Sequence, residues 1–236
     1  MIEICAGSYE DALIAAKAGI GRIELNCALA LGGLTPSVST LKKIKEETSL
    51  EVICMVRPRE GGFCYSDSEY TQMYEEAKAL LESGADGLAF GFLKSDASID
   101  AKRTKAFVSL IHSYGKTAVF HRAFDVSDDL DDSIKTLIDL GVDRTLTSGG
   151  ASTASKGCKK LYDLVIHYNS QIEILAGSGI NAANVKKLME DTGVTQVHAS
   201  CRGNCVDFTG INHDVSFGDT YQKADINKIR ELIQAV

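Results

Sequence analysis

Two carboxylates sit inside short apolar runs near the start of the chain: Glu3 within Ile2–Cys5, and Glu24 within Arg22–Leu25. An acid in a buried strand is costly unless paired, so each requires a partner. A polar site that holds a cation or an acid/base pair would supply one, and so would a structural ion pair in the core. Candidate partners stand at the ends of two further runs, in Val56-Arg57-Pro58-Arg59 and in Phe120-His121-Arg122-Ala123-Phe124-Asp125. Histidine acts as acid, base or metal ligand near neutral pH. Guanidinium groups suit planar or phosphorylated anions. A His-Arg-x-x-Asp run directly after Val119-Phe120 is hard to read as solvated surface. His121, Arg122 and Asp125 therefore join Glu3, Glu24 and Arg57 as candidates for chemistry.

Glycine and cysteine add weaker signals. The turns Ser148-Gly149-Gly150 and Gly177-Ser178-Gly179 each follow an apolar run. Exposed amides in such turns bind phosphate in many barrels, so Ser148, Gly149, Gly177 and Gly179 form a candidate anion site. Glycine-rich turns are also simply turns. The chain has 7 cysteines. Cys5 and Cys54 lie in apolar runs and read as small core residues. Cys201 and Cys205, with His198 nearby, offer the soft donors that Cu(I) takes, but CxxxC is not a zinc-ribbon spacing. His112, His167 and His213 carry no visible pattern.

The elements that must position these residues repeat along the chain. Eight short apolar runs occur: Ile2–Cys5, Arg22–Leu25, Glu51–Val56, Gly87–Phe90, Thr117–Phe120, Arg144–Thr147, Glu173–Ala176 and Gln196–Ala199. They have the continuous apolar character of strands buried on both faces. Between them lie helically spaced stretches, such as Ile134, Leu137, Ile138 and Gly141. Several end in a glycine suited to closing a helix: Gly19, Gly84, Gly115, Gly141 and Gly193. Ser8, Ser68 and the Asp128–Asp132 stretch read as helix starts. Eight βα units with right-handed crossovers close into a barrel. The expected fold is therefore α/β, one single-domain TIM (β/α)8 barrel over residues 1–236, with an irregular segment 203–222 before the last helix. Working residues then belong at the C-terminal ends of the strands. A doubly wound sheet is the rival, but Ile4-Cys5-Ala6-Gly7-Ser8 is no GxGxxG turn.

Composition excludes some partners. The formal net charge is −7, which argues against a nucleic-acid surface and against an anionic membrane. The N-terminus MIEICAG has no basic region before a long apolar run. No stretch approaches the roughly 20 apolar residues of a membrane span. The expectation is a cytoplasmic protein without nucleic-acid or membrane partners, forming a homo-oligomer, a dimer or tetramer.

From Ile2 to about Phe217 the chain resembles the CutC copper homeostasis family. The strings that carry the resemblance are Gly21-Arg22-Ile23-Glu24-Leu25, Gly32-Gly33-Leu34-Thr35-Pro36-Ser37, Val56-Arg57-Pro58-Arg59, Gly84-Ala85-Asp86-Gly87, Phe120-His121-Arg122-Ala123-Phe124-Asp125, Arg144-Thr145-Leu146-Thr147-Ser148-Gly149 and His198-Ala199-Ser200. The resemblance implies a TIM barrel, a cytoplasmic location and a link to copper. By position it implies polar strand-end residues at Glu3, Glu24, Arg57, His121, Arg122, Asp125 and His198. Some members place two proposed Cu(I) ligands near the first strands. One falls on Cys5, while the other falls on Asn26, with Cys27 one position later. Two functions follow. One is copper binding through Cys5 and Cys27, with Cys201 or His198, and copper as the bound ion. The other is a hydrolase, lyase or isomerase acting on a small anionic or phosphorylated metabolite through the Glu, His and Arg residues.

Overall fold

A computed structural model describes residues 1–212 and 214–236; His213 lies outside the described residues. Eight parallel strands close into a barrel in chain order: β1 (Ile2–Ala6), β2 (Arg22–Leu25), β3 (Glu51–Met55), β4 (Gly87–Phe90), β5 (Thr117–Phe120), β6 (Arg144–Thr147), β7 (Glu173–Gly177) and β8 (Gln196–Ala199). β1 pairs with β8 through Glu3 opposite His198, which completes the ring. The helices are α1 (Tyr9–Lys17), α2 (Val38–Glu47), α3 (Asp67–Glu82), α4 (Ala101–Ser113), α5 (Leu130–Leu140), α6 (Cys158–Tyr168), α7 (Val185–Thr192) and α8 (Ile226–Ala235). The TIM-barrel expectation holds, and strand limits differ from the apolar runs by one residue at most.

Alternation along each strand divides the molecule into two cores. Ile4, Ile23, Val52, Cys54, Leu88, Phe90, Phe120 and Val197 join the large apolar layer beneath the helices. The residues between them point inward. Ile53, Met55, Ala89 and Val119 form a small separate apolar plug. Glu3, Arg22, Glu24 and Arg144 are buried as well. The interior is thus apolar on the β3–β5 side and charged on the side of β1, β2 and β6–β8. Cys54 is core, as its run predicts. Cys5 faces inward instead.

Local chemistry explains the helix limits. Ser8 accepts the Asp11 amide at 3.1 Å, and Asp129 caps α5 through the amides of Asp131 and Asp132. The start of α3 is Ser66, not Ser68. Ser66 and Glu69 form a reciprocal capping box, which satisfies two backbone donors at once. All five helix-closing glycines carry positive φ, from 66° to 97°.

Segment 203–222 is more regular than expected. β9 (Arg202–Val206) and β12 (Thr220–Ala224) pair antiparallel, and a short ribbon of β10 (Ile211–Asn212) and β11 (Val215–Ser216) lies beyond them. Its mixed polar and apolar residues give little periodic signal. The pairing is set by contacts across some twenty residues.

Candidate functional site

A cavity of about 140 Å³ opens at the C-terminal end of the barrel, lined by Cys5, Glu24, Asn26, Arg57, His121, Arg122 and His198 together with Met55, Phe63 and Leu146. Five residues of the expected catalytic set meet there: Glu24, Arg57, His121, Arg122 and His198. Glu3 and Asp125 do not line it.

One wall is an acid/base cluster. Ligand atoms of Cys5, Glu24 and His198 lie within 4.8 Å of one another. His198 Nδ1 is 2.7 Å from Glu3 Oε1, and Asn26 donates to Glu24 Oε2 at 2.9 Å. Burial raises the pKa of Glu24 against the pull of the His198 charge. Burial alone would strip His198 of its proton, but the Glu24 charge and hydrogen bonds to Cys5 and Glu3 hold its pKa well above 6.5. Burial pushes the Cys5 thiol up. The wall thus sets the His198 imidazole between the carboxyl groups of Glu3 and Glu24, beside the Cys5 thiol.

Glu3 supports this wall from below. Its second oxygen accepts from Arg22 Nε at 2.7 Å. Arg22 donates to Gln196 at 2.7 Å, Gln196 to Glu173 at 3.0 Å, and Arg144 to Glu173 at 2.6 Å. Burial raises the pKa of Glu3, but the His198 hydrogen bond and the charges of His198, Arg22 and Arg144 hold it below its ordinary value. Glu3 is a structural ion pair that also positions His198, which unites the two sequence readings of this carboxylate.

The opposite wall carries hydrogen-bond donors. Arg57 is buried, and its terminal nitrogens donate to the carbonyls of Leu31 and Gly33 at 3.2 Å and of Gly61 at 2.7 Å. These bonds hold the loops after β2 and β3. Its Nε has no partner among the described residues, and no carboxylate forms a salt bridge with it. His121 Nδ1 accepts the Ala123 amide at 3.1 Å, so Nε2 carries the proton. That Nε2 is also buried without a partner. Burial, then the Arg57 charge, pushes the pKa of His121 down to about 3, so it is a neutral donor at pH 7. Phe63 orients both, with Arg57 5.2 Å above its ring and His121 4.9 Å from its centroid.

The expected anion site at Ser148 and Gly149 is corrected by the structure. Asp125 takes that place. Its carboxylate accepts the Ser148 amide at 2.9 Å, the Gly150 amide at 3.0 Å, and the hydroxyls of Thr147 and Ser148 at 2.5 and 2.9 Å. The loop after β6 is an anion nest filled by the chain's own carboxylate. Asp125 also holds Arg122 Nε at 2.7 Å and so fixes that guanidinium at the rim. Gly177 serves close packing: a Cβ there would meet Leu146 at 2.6 Å. Gly179 lines a separate depression with Ser200, Cys201 and Arg202.

The three expected metal cysteines do not converge. Cys27 donates its thiol to the Thr35 carbonyl at 3.1 Å and lines a different depression, with Ser37 and Glu76. Cys201 lies beside Gly179. Asn26 occupies the place beside Cys5, its amide 3.7 Å from the Cys5 sulfur. One thiol with one imidazole and one carboxylate suits a borderline divalent ion better than Cu(I). Sequence reasoning missed Asn26 and Phe63 as wall residues. Asn26 is visible as the polar residue directly after its strand, whereas Phe63 lies in a loop without periodic signal.

Comparison with known proteins agrees with this architecture. The sequence profile of the CutC family matches residues 1–203. A CutC family protein of Treponema denticola is 46% identical across the whole of this chain and 98% of its own length. The copper homeostasis protein cutC homolog of Mus musculus is 38% identical over 86% of this chain and 74% of its own. A crystal structure of CutC from Streptococcus agalactiae superposes with a TM-score of 0.78 at 35% identity, covering 84% of this chain and 97% of that one. The 3-hexulose-6-phosphate synthase of Salmonella typhimurium shares the fold alone, with a TM-score of 0.64 at 15% identity. The chain belongs to the CutC family.

Proposed function

We propose that the barrel mouth binds a small anionic metabolite and acts on it by proton transfer. The observation that carries this reading is Arg57, a buried guanidinium on the cavity wall that has no carboxylate partner among the described residues and whose Nε is buried and unpaired. A buried charge without a counterion is costly, and a bound anion would supply the counterion. Neutral His121 adds an N–H donor on the same wall, and Arg122 adds a second guanidinium at the rim. Oxygen charge that develops on the ligand would be held by donors already in place. Glu24, with its raised pKa, is suited to accept a proton, and His198 to return one. Glu3 acts through His198 as a positioning residue. The chemistry fits an isomerase or lyase, or a hydrolase that uses water in the cavity.

Calorimetry with oxalate and with inorganic phosphate tests this. The native chain is expected to bind at least one of them, and Arg57→Met to weaken it by roughly 10- to 100-fold, the value of charge-assisted hydrogen bonds. No binding by the native chain, or equal binding by the variant, would rule the reading out.

A second reading rests on the 4.8 Å convergence of Cys5, Glu24 and His198. The His198–Glu3 bond resembles the carboxylate support common behind metal-bound histidine. In this reading a metal ion, copper included, is the cargo. Metal analysis of reduced protein separates the two. One equivalent retained by the native chain and lost in Cys5→Ser and Glu24→Gln favours metal handling.

A further inference from the structure

Gly179, Ala182, Ser200, Arg202 and Lys228 line a second depression, of about 500 Å³, at the C-terminal ends of β7 and β8. It joins the loop that follows β7 to the turn that follows β8 and to the first turn of α8. Ser200 stands two residues beyond His198, and a Cβ on Gly177 would lie 3.5 Å from His198 Cβ. Two strand residues span about 6–7 Å, so the depression opens beside the mouth.

Its acceptors and donors are unevenly matched. The carbonyls are taken. That of Ser178 accepts the Ala154 amide at 3.0 Å, and that of Gly179 accepts the side-chain amides of Asn181 and Asn184 at 3.3 and 2.8 Å. That of Cys201 accepts the Asp225 amide at 2.9 Å, and that of Arg202 the Lys228 ammonium at 2.7 Å. The donors are open. Among the described residues, nothing accepts from the amides of Gly179 and Ala182, from the Ser200 hydroxyl or from the Arg202 guanidinium. Lys228 has three N–H groups and one bond to the Arg202 carbonyl. Arg202 also borders Glu10 and Asp11, but those carboxylates are held by Lys223 and by the amides of Gly7 and Ala224. Glu231, on α8, is the single carboxylate lining the depression among the described residues, against two cations.

Open donors around a concave surface call for a ligand rich in acceptors. A carboxylate offers two oxygens in one plane, and a single guanidinium can occupy both. The donors here come from three elements, which suits the three outward oxygens and the double charge of a phosphate monoester. Arg202 and Lys228 exceed the Glu231 charge by one. A local positive excess runs against the rest of the surface, on a chain of net charge −7. Loops after the seventh and eighth strands hold phosphate in many barrels. In this chain the unmatched donors, more than the glycines, single out the place.

We propose that this depression seats the phosphate group of a phosphate monoester, with Arg202 and Lys228 binding its charge and the Gly179 amide, Ala182 amide and Ser200 hydroxyl binding its oxygens. That the rest of such a ligand enters the mouth rests on the function proposed above; the seat itself does not. An amide NMR titration of the full chain with inorganic phosphate tests it. The Gly179, Ala182 and Ser200 amides are expected to shift together and to saturate, with an affinity on the order of 1 mM, within the ceiling for so small a ligand. Arg202→Gln/Lys228→Gln is expected to weaken that binding at least about 10-fold, as loss of charge-assisted hydrogen bonds does. Glu231→Gln has the opposite sign. Removing that carboxylate should strengthen binding about 2- to 5-fold, a gain that a misfolded variant does not give. No shift at these amides, shifts reproduced by sodium chloride at equal ionic strength, or equal affinity in the double variant would each overturn the seat. Oxalate separates seat from mouth. Oxalate binding that is lost in Arg57→Met, with no phosphate shift at Gly179, keeps the mouth and removes the seat. A saturating phosphate shift at Gly179 that persists in Arg57→Met, with no oxalate binding, keeps the seat and removes the mouth.

Discussion

Two histidines of the barrel mouth are held in opposite protonation states. His121 has its pKa pushed down to about 3, by burial first and by the Arg57 charge second, against an unfolded value near 6.5. Between those values the unfolded chain binds a proton that the folded chain does not. The burial of His121 therefore costs nothing through this route above pH 6.5, and it destabilises progressively as pH falls toward 3. The full shift corresponds to about 5 kcal/mol. In urea unfolding at pH 7 and pH 4, His121→Phe is expected to lose several kcal/mol less over that interval than the native chain. An identical loss in both would show that His121 is solvated in the folded state. His198 has the opposite sign. Its raised pKa contributes stability that is present below pH 6.5 and lost as pH rises through the folded value.

The most tightly organised element of the site is the loop after β6, where one carboxylate gathers two amides and two hydroxyls. Asp125→Asn keeps the shape but offers one accepting oxygen in place of two and turns an NH₂ toward donors. The expected cost is about 2–4 kcal/mol, from buried donors left unpaired. Hydrogen exchange should locate it: the amides of Ser148 and Gly150 should exchange faster, while those of β3 stay protected. Exchange that is unchanged at both amides would contradict the nest. Arg122 loses its tether in the same variant, so anion affinity should fall, but less than in Arg57→Met.

For the molecule as a whole, the barrel is closed by β1 pairing with β8. The charged half of the interior divides labour with the apolar plug of Ile53, Met55, Ala89 and Val119. The plug fills space on one side, and the Arg144–Glu173–Gln196–Arg22–Glu3 chain leads to His198 on the other.

Much of this was legible in the residues alone. Strand limits came through because strands buried on both faces are apolar throughout, and helix ends came through because capping and left-handed closure demand particular residue types. The candidates Glu24, Arg57, His121, Arg122 and His198 were legible because a charged residue at the end of a buried run has few innocuous explanations. Partnership was not. Nothing local says that Glu3 turns to Arg22 and His198, that Asp125 fills the nest expected to hold a ligand, or that Asn26 rather than Cys27 stands beside Cys5. Those outcomes depend on which strands become neighbours and on the side to which a strand-end residue turns, and a shift of one position reverses that side. The sequence by itself determined the barrel and the kinds of group at its mouth. Only the tertiary structure decided which of those groups satisfy one another and which, Arg57 Nε and His121 Nε2, stay unpaired among the described residues, because hydrogen-bond pairing is a property of distance and not of order along the chain.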